Sequence, residues 1–355
     1  MVRVQELSQH GWDFAMNDLN DRPPKQSTIY DVAKRAGVSH QTVARIVRGY
    51  EGFRPETRER VAAAIAELAY VPNVTARSLA TKRPRRIAAL TYEMDQVGPN
   101  EVVRGASHAA REAGYLLDIV TLELERDDSI DEAVDLINQQ DLAGVIALIP
   151  TEHIADAVSA AHFRVPLFMD RSDSIQNPES GLDLGAAGVH ATTQHLLSLG
   201  HSRLFHIGGP SEWLASRSRL AAFESVIRAN GFEPVGARFG GWSASSGYEI
   251  GLGLPVDELT AVVAANDQIA LGAIHALRQR GIRVPEQLSI TGIDDIAEAA
   301  YFWPPLTTAK LDLESVGRRG VQRLLTVIDP EEVRTITDPA PAELRVRKST
   351  AAPRT

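Results

Sequence analysis

Two sets of residues in this chain carry side chains with directional chemistry. The first lies in AGVSHQTVARIVRG, residues 36–49, where His40, Gln41 and Arg45 share a short stretch. On a helix, positions 41 and 45 stack one turn apart, with His40 beside them. Arginine can grip guanine O6 and N7 with two donors, glutamine can pair with adenine, and histidine can donate or accept. The same residue types suit a plain solvated helix face, so their setting decides between the two. The second set follows short apolar runs: Asp170 after VPLFM, Asn266 and Asp267 after AVVAA, and Asp294 after LSITGI. Carboxylates and amides gathered in one crevice, with an arginine, can bind the hydroxyls of a neutral polyol. Trp242, in GGWSASSGY, could cover the apolar face of a pyranose ring. As residue types, Asp170, Asn266 and Asp294 fit helix caps or turns too, and Trp242 fits a core.

The elements around the first set make its setting specific. Residues 26–72 read as three helices. Thr28 can cap the first, with Asp31 near its positive end. Ile29, Val32, Ala33 and Ala36 form an apolar stripe, and Gly37 ends the helix. Ser39 caps the second helix, whose inner face is Val43, Ala44, Ile46 and Val47, and Gly49 stops it. The third starts at Pro55 and Glu56 and runs through Val61, Ile65 and Leu68; Arg54 is a weak residue at its cap position. Two short helices joined at a glycine turn and backed by a third make a helix-turn-helix, which turns His40, Gln41 and Arg45 outward. Charge agrees. Residues 26–86 hold twelve Lys/Arg against five Asp/Glu, a net +7, although the whole chain is at −9. A basic head on an acidic body suggests a polyanion partner for the head alone.

Around the second set the pattern is α/β. Apolar runs at 87–92, 116–122, 144–150, 165–170, 204–209, 261–266 and 288–294 alternate with helical stretches, and a late helix covers 312–327. Such alternation predicts parallel sheets covered on both faces. There are too many units for one comfortable sheet. Two subdomains are expected, with a ligand crevice at the carboxyl ends of their strands. Residues 1–25 read as a disordered extension and 73–86 as a basic linker.

Several classes are set aside. No run approaches the ~18 apolar residues that span a bilayer, and the N-terminal residues lack a secretion-signal pattern. Absence of cysteine excludes disulfides and thiolate metal sites and fits a cytoplasmic setting. Phosphate-loop, dinucleotide-loop, zinc-protease and serine-elbow motifs do not occur. Asp294 and Asp295 are adjacent, so they point to opposite faces of a strand and cannot easily flank one bond. No catalysis, metal or cofactor is expected.

TIYDVAKRAGVSHQTVARIVRG, residues 28–49, resembles the helix-turn-helix of the lactose-repressor family of bacterial transcription regulators. TRERVAAAIAELAYVPNVTARSLATK, residues 57–82, resembles the family's third helix and hinge, and WSASSGY, ANDQIALGA and PPLTTAKLD resemble stretches of its sugar-responsive body. The resemblance runs from Thr28 to the C-terminus. It implies a helix-turn-helix head (26–72), a hinge (73–86) and a periplasmic-binding-protein-like body (87–355). The body would comprise an N-subdomain of about 87–183 and 312–330, and a C-subdomain of about 184–311 and 331–355.

By the resemblance, His40, Gln41 and Arg45 read bases, while Thr28, Tyr30, Ser39, Thr42 and Asn73 contact DNA mainly through phosphates. The hinge folds on operator DNA, and Leu79 wedges between central base pairs from the minor groove. Asp170, Arg219, Trp242, Asn266 and Asp294 contact sugar, and Gln96, Gly98, Pro99 and Val102 line the N-terminal wall. Arg219 also fits a simple pair with a neighbouring carboxylate. Departures occur. Asp183 stands where the lactose-responsive branch has an aromatic lining residue, Ala215 replaces a serine, Leu311 a glutamine and Leu313 an aromatic. The pocket is thus related but not identical.

No leucine heptads follow PAPAELRVRKSTAAPRT, so a homodimer is expected, reading a two-fold symmetric site. The implied function is repression of sugar-utilisation genes, with release from a palindromic operator when a galactoside or other glycoside binds. The alternatives are a co-repressing or non-sugar metabolite and, more remotely, a solute-binding protein that ignores DNA.

Overall fold

The computed structural model describes residues 27–47, 49–70, 84–124, 126, 128–170, 183–332 and 334–354, except for the side chain of Asp170. The expected extension and the hinge residues Asn73 and Leu79 lie outside the described residues. The chain divides into two compact units, 1–82 and 83–355.

The first unit holds α1 (Ile29–Ala36), α2 (His40–Val47) and α3 (Pro55–Glu67). Local chemistry sets each end. At α1 the Thr28 hydroxyl accepts the Asp31 N–H, while the Asp31 carboxylate accepts the Thr28 N–H at 2.8 Å, a reciprocal capping box. Gly37 ends α1 at φ +65°, a conformation that other residues adopt only at a cost. Ser39 Oγ accepts the Thr42 N–H at 3.1 Å and so starts α2. Arg54 makes no side-chain cap, and Pro55 opens α3. The core is small. Val32, Val43 and Val61 are fully buried among Ala33, Ala36 and Ala64, and each valine contributes about 1.5–3 kcal/mol.

The second unit contains two sheets. β1 (Arg86–Tyr92), β2 (Leu116–Leu122), β3 (Gly144–Leu148) and β4 (Leu167–Asp170) form the first, all parallel, in the order β2-β1-β3-β4. On one face lie α5 (Ser129–Asn138) and α6 (Glu152–Ala160), packed through Ala88, Leu90, Val145 and Ala147. On the other, α4 (Val97–Glu112) meets a late helix, α11 (Leu313–Ile328), over Ile87. These two helices touch backbone to backbone. A Cβ on Gly105 would lie 1.8 Å from the Glu314 carbonyl oxygen, and one on Gly317 would lie 1.8 Å from that of Val102.

The other sheet runs β10-β9-β8-β7-β5-β6. Its strands are β5 (Leu204–Gly208), β6 (Gly236–Phe239), β7 (Ala261–Ala264), β8 (Ser289–Asp294), β9 (Thr307–Lys310) and the antiparallel edge β10 (Glu343–Arg345). α7 (Leu184–Ser198) and α8 (Leu214–Ala229) cover one face around Phe223 and Ile227, while α9 (Ala244–Leu252) and α10 (Asp267–Gln279) cover the other around Ile269. The chain therefore crosses into the second layer after β4, returns for α11, and crosses again for β10. The tail is stitched down: Ser349 Oγ donates to the Ile290 carbonyl at 2.6 Å and accepts the Thr307 N–H at 2.8 Å. No helix among the described residues is long and apolar enough to cross a membrane.

The helical head and the two-sheet α/β body are as expected from sequence. α9, β6, β9 and β10 were not. β6 and β10 are short and only partly buried, β9 is threonine-rich, and α9 is rich in serine and glycine, so none shows a clear apolar period.

Candidate nucleic-acid interface and ligand cavity

On the head, His40, Gln41 and Arg45 are all exposed on α2. The His40 ring lies 5.0 Å from that of Tyr30, at the start of α1. Arg45, in the last turn of α2, lays its guanidinium 4.8 Å from the ring centre of Tyr50 and 5.4 Å from that of Phe53. The hydroxyls of Thr28, Ser39 and Thr42 serve the helix starts: Thr28 Oγ1 donates to Asp31 at 2.7 Å, and the Ser39 and Thr42 oxygens are 3.0 Å apart. Oxygen lone pairs remain on each, at the N-terminal ends of helices, where anions are favoured.

In the body, a cavity of about 890 Å³, its open mouth included, lies between the two sheets. Strand ends build it. Tyr92 closes β1, Leu148 closes β3, Asp294 closes β8, and Asn266 follows β7. Gln96, Gly98, Pro99 and Val102 come from the start of α4, Arg219 from α8, and Trp242 from the turn before α9. The sequence-expected residues are thus gathered around one cavity, with two exceptions. Asp183 does not line it; its carboxylate accepts the Ala186 N–H at 2.8 Å and caps α7. An aspartate there satisfies a helix end, which an aromatic residue cannot do. Asp170 ends β4, and its side chain lies outside the described atoms.

The polar wall is tightly held. Arg219 Nη1 donates to the Ala265 carbonyl at 2.6 Å, and its guanidinium sits 5.1 Å from the centre of the Trp242 ring. Gly185 makes room for it, since a Cβ there would lie 2.6 Å from Arg219 Nε. The charge of Arg219 is felt by Asp294, whose pKa it lowers. Trp242 is 8% exposed and packs on the Gly209 backbone, where a Cβ would come within 2.5 Å of the indole. Its ring is therefore part core and part wall. Asn266 also does two things: Oδ1 accepts the Ile269 N–H at 2.8 Å, capping α10, and Nδ2 donates to the Trp242 carbonyl at 2.9 Å.

Three carboxylates lie near the end of β8. Asp294 holds φ +106°, a strained backbone for a residue with a side chain, worth about 1–3 kcal/mol. Burial raises its pKa to about 6, with Arg219 opposing the shift and Glu101 adding to it. Asp267 accepts from Thr308 Oγ1 at 2.6 Å and from the Ile296 N–H at 2.9 Å. Its burial, and then the Asp294 charge, push it up to about 8. Asp295 pairs instead with Arg347 at 2.6 Å. Of the two adjacent acids, Asp295 is thus held by Arg347 while Asp294 lines the cavity.

Two aromatic lining residues escaped the sequence reading. Trp213 stands edge-on to Tyr92 at 5.2 Å and to Trp242 at 5.7 Å. It also joins the layers, bridging Thr151, while the Leu214 N–H donates to the Pro150 carbonyl at 2.8 Å. Tyr92 closes a strand, as Asp294 does, and Trp213 follows the end of β5. A reading that counted only polar groups there passes over them.

Comparison with known proteins gives a consistent result. The sequence profile of bacterial regulatory proteins of the lacI family matches residues 28–73, and that of a periplasmic binding protein-like domain matches residues 193–350. The lactose operon repressor of Escherichia coli (strain K12) is 35% identical over 336 residues, 93% of this chain and 92% of that protein. The crystal structure of the lac repressor dimer bound to operator and the anti-inducer ONPF superposes with a TM-score of 0.77 at 33% identity, covering 92% of this chain and all of that one. A complex of the transcriptional regulator CelR with cellobiose gives 0.61 at 26% identity, covering 91% and 99%.

Proposed function

Because the chain belongs to the lacI family of bacterial regulatory proteins, we propose that it represses sugar-utilisation genes and leaves its operator when a small sugar enters the body. It is a DNA-binding transcriptional regulator and not an enzyme. In our reading it works in the cytoplasm as a homodimer, two heads meeting the two halves of a palindromic site. His40, Gln41 and Arg45 read base edges. Thr28, Tyr30, Ser39, Thr42 and Asn73 hold phosphates, and Leu79 wedges the central step from the minor groove. The sugar lies among Gln96, Gly98, Pro99, Val102, Arg219, Trp242, Asn266 and Asp294. It favours one relative setting of the two subdomains, and the hinges part. A coupling of this kind is typically about 1–3 kcal/mol.

The observation that carries the sugar reading is the composition of the cavity wall. A guanidinium, two amides and a carboxylate share it with three aromatic rings, which suits a molecule with hydroxyls on its edges and an apolar face. Arg219 and Asp294 balance in charge, so a neutral ligand fits better than an ion.

A thermal-shift panel of mono- and disaccharides, followed by gel shifts on a symmetric operator with the best hit, tests this reading. A sugar that raises the melting temperature and releases the DNA supports it. Stabilisation by charged or non-sugar metabolites alone, or no DNA binding at modest salt, would overturn it.

A further inference from the structure

The geometry points to Tyr50 and Phe53 as positioning residues for Arg45; this rests on the reading of Arg45 as a base-reading residue. Gly49, at φ +81°, turns the chain back after α2, so that the Gly49 N–H reaches the Ile46 carbonyl at 2.9 Å and the Tyr50 N–H that of Arg45 at 3.1 Å. Helices that end this way commonly pack a side chain beyond the turn against one in the last turn. Here that contact is a guanidinium on a phenol ring, with Phe53 adding a second ring. The platform is itself anchored to α3, since Arg58 Nη2 donates to the Tyr50 carbonyl at 2.6 Å.

An exposed arginine otherwise samples many rotamers, and ordering it on DNA costs affinity. Arg45 Cζ lies over both rings, and a ring attracts a guanidinium laid on its face. The N–H donors that grip guanine lie in its plane, so stacking leaves them free. The two rings therefore hold Arg45 ready without competing for its hydrogen bonds. Each exposed contact of this kind corresponds to about two- to fivefold in binding. The gain falls only on the base pair that Arg45 reads, and phosphate contacts do not share it.

The full chain would first select a symmetric duplex from a randomised library. Gel shifts would then compare that duplex, its single-base-pair variants and an unrelated duplex, for the natural chain, Arg45→Ala, Tyr50→Leu, Tyr50→Phe and the double variant Arg45→Ala/Tyr50→Leu. Tyr50 is 55% exposed, so the head's core survives its replacement. Arg45→Ala should relax discrimination at one base pair. Tyr50→Leu should cut discrimination at that same pair by about two- to fivefold per half-site, with unrelated DNA and the salt slope unchanged. Tyr50→Phe should keep discrimination, and Tyr50→Leu should add nothing once Arg45 is gone. If Arg45→Ala relaxes no base pair, the base-reading assignment fails and this inference fails with it. If Arg45→Ala does so but Tyr50→Leu does not, or weakens all DNA equally, the platform alone is refuted.

Discussion

The head and the body solve the problem of holding a binding site in opposite ways. The head places His40, Gln41 and Arg45 within six residues of one another, on the outer face of a helix whose ends are set by Ser39 and Gly49. The body gathers its wall from Tyr92 to Val316, from both sheets and several helices. The first site is specified locally and rests on three buried valines and three alanines. The second is specified by topology and rests on cores many times larger. A surface that meets a partner from outside can be built on very little, whereas a cavity walled from two sides needs two complete layers.

The largest expected effect breaks the head alone. Val43→Asp buries a carboxylate in a core too small to absorb it. Operator binding should vanish, while calorimetry still shows the body's transition and its sugar-dependent shift. Loss of both would mean that the two regions do not fold independently. The reverse experiment strikes the cavity. Gly185→Val puts atoms where Arg219 Nε now lies, 2.6 Å from a Cβ at that position. Sugar affinity by titration calorimetry should fall about ten- to a hundredfold, the usual cost of displacing a charged hydrogen-bonding partner, with DNA binding retained but no longer inducible.

A smaller effect follows from pH. An aspartate in the unfolded chain titrates near ~4, whereas folded Asp267 is raised to about 8. Between those values the folded body keeps a proton that the unfolded chain has released, so its stability falls as pH rises through this window. Below about pH 6.5 the buried His206, lowered to about 4, opposes this trend, so the body's melting temperature should drop from about pH 6.5 to pH 8, and Asp267→Asn should flatten the slope. Asp294 lines the cavity, so its titration also offers a test on binding. If its carboxylate accepts sugar hydroxyls, affinity should weaken as pH falls through about 6. Smallest of all is Glu67→Ala, which removes an ion pair to Arg35 across the head's surface. Both partners are more than half exposed, so the loss should stay within about 0.2–1 kcal/mol, read as a shift of a few degrees in the head's transition alone.

Legibility in the sequence follows the same division. In the head, the starts of α1 and α2 and their stops correspond to residues with a local reason, and Arg54, the weak residue before α3, makes no side-chain cap in the structure. In the body, the central strands announce themselves as apolar runs because both their faces are covered, while the edge strand β10 and the short β6 carry no such signal. Within the cavity, Asn266 and Asp294 are legible as polar residues at strand ends, although Asn266 turns out to cap a helix as well. Arg219 is legible only through likeness to the family, and Trp242 by its type fits a ring-covering face and a core alike. Asp183 misleads because position in an alignment does not reveal that a carboxylate has found a helix end to serve. Trp213 is missed because its importance lies in joining two layers, which no local pattern encodes.

The glycine contacts between α4 and α11 have a consequence for synthesis. The first layer has all its strands by residue 170, yet the helix that covers one of its faces ends at residue 328. At about 5–20 residues per second, a ribosome needs on the order of ten to thirty seconds to deliver it. During that interval Ile87 and the apolar side of α4 emerge without their cover, and they depend on the nascent chain staying clear of others.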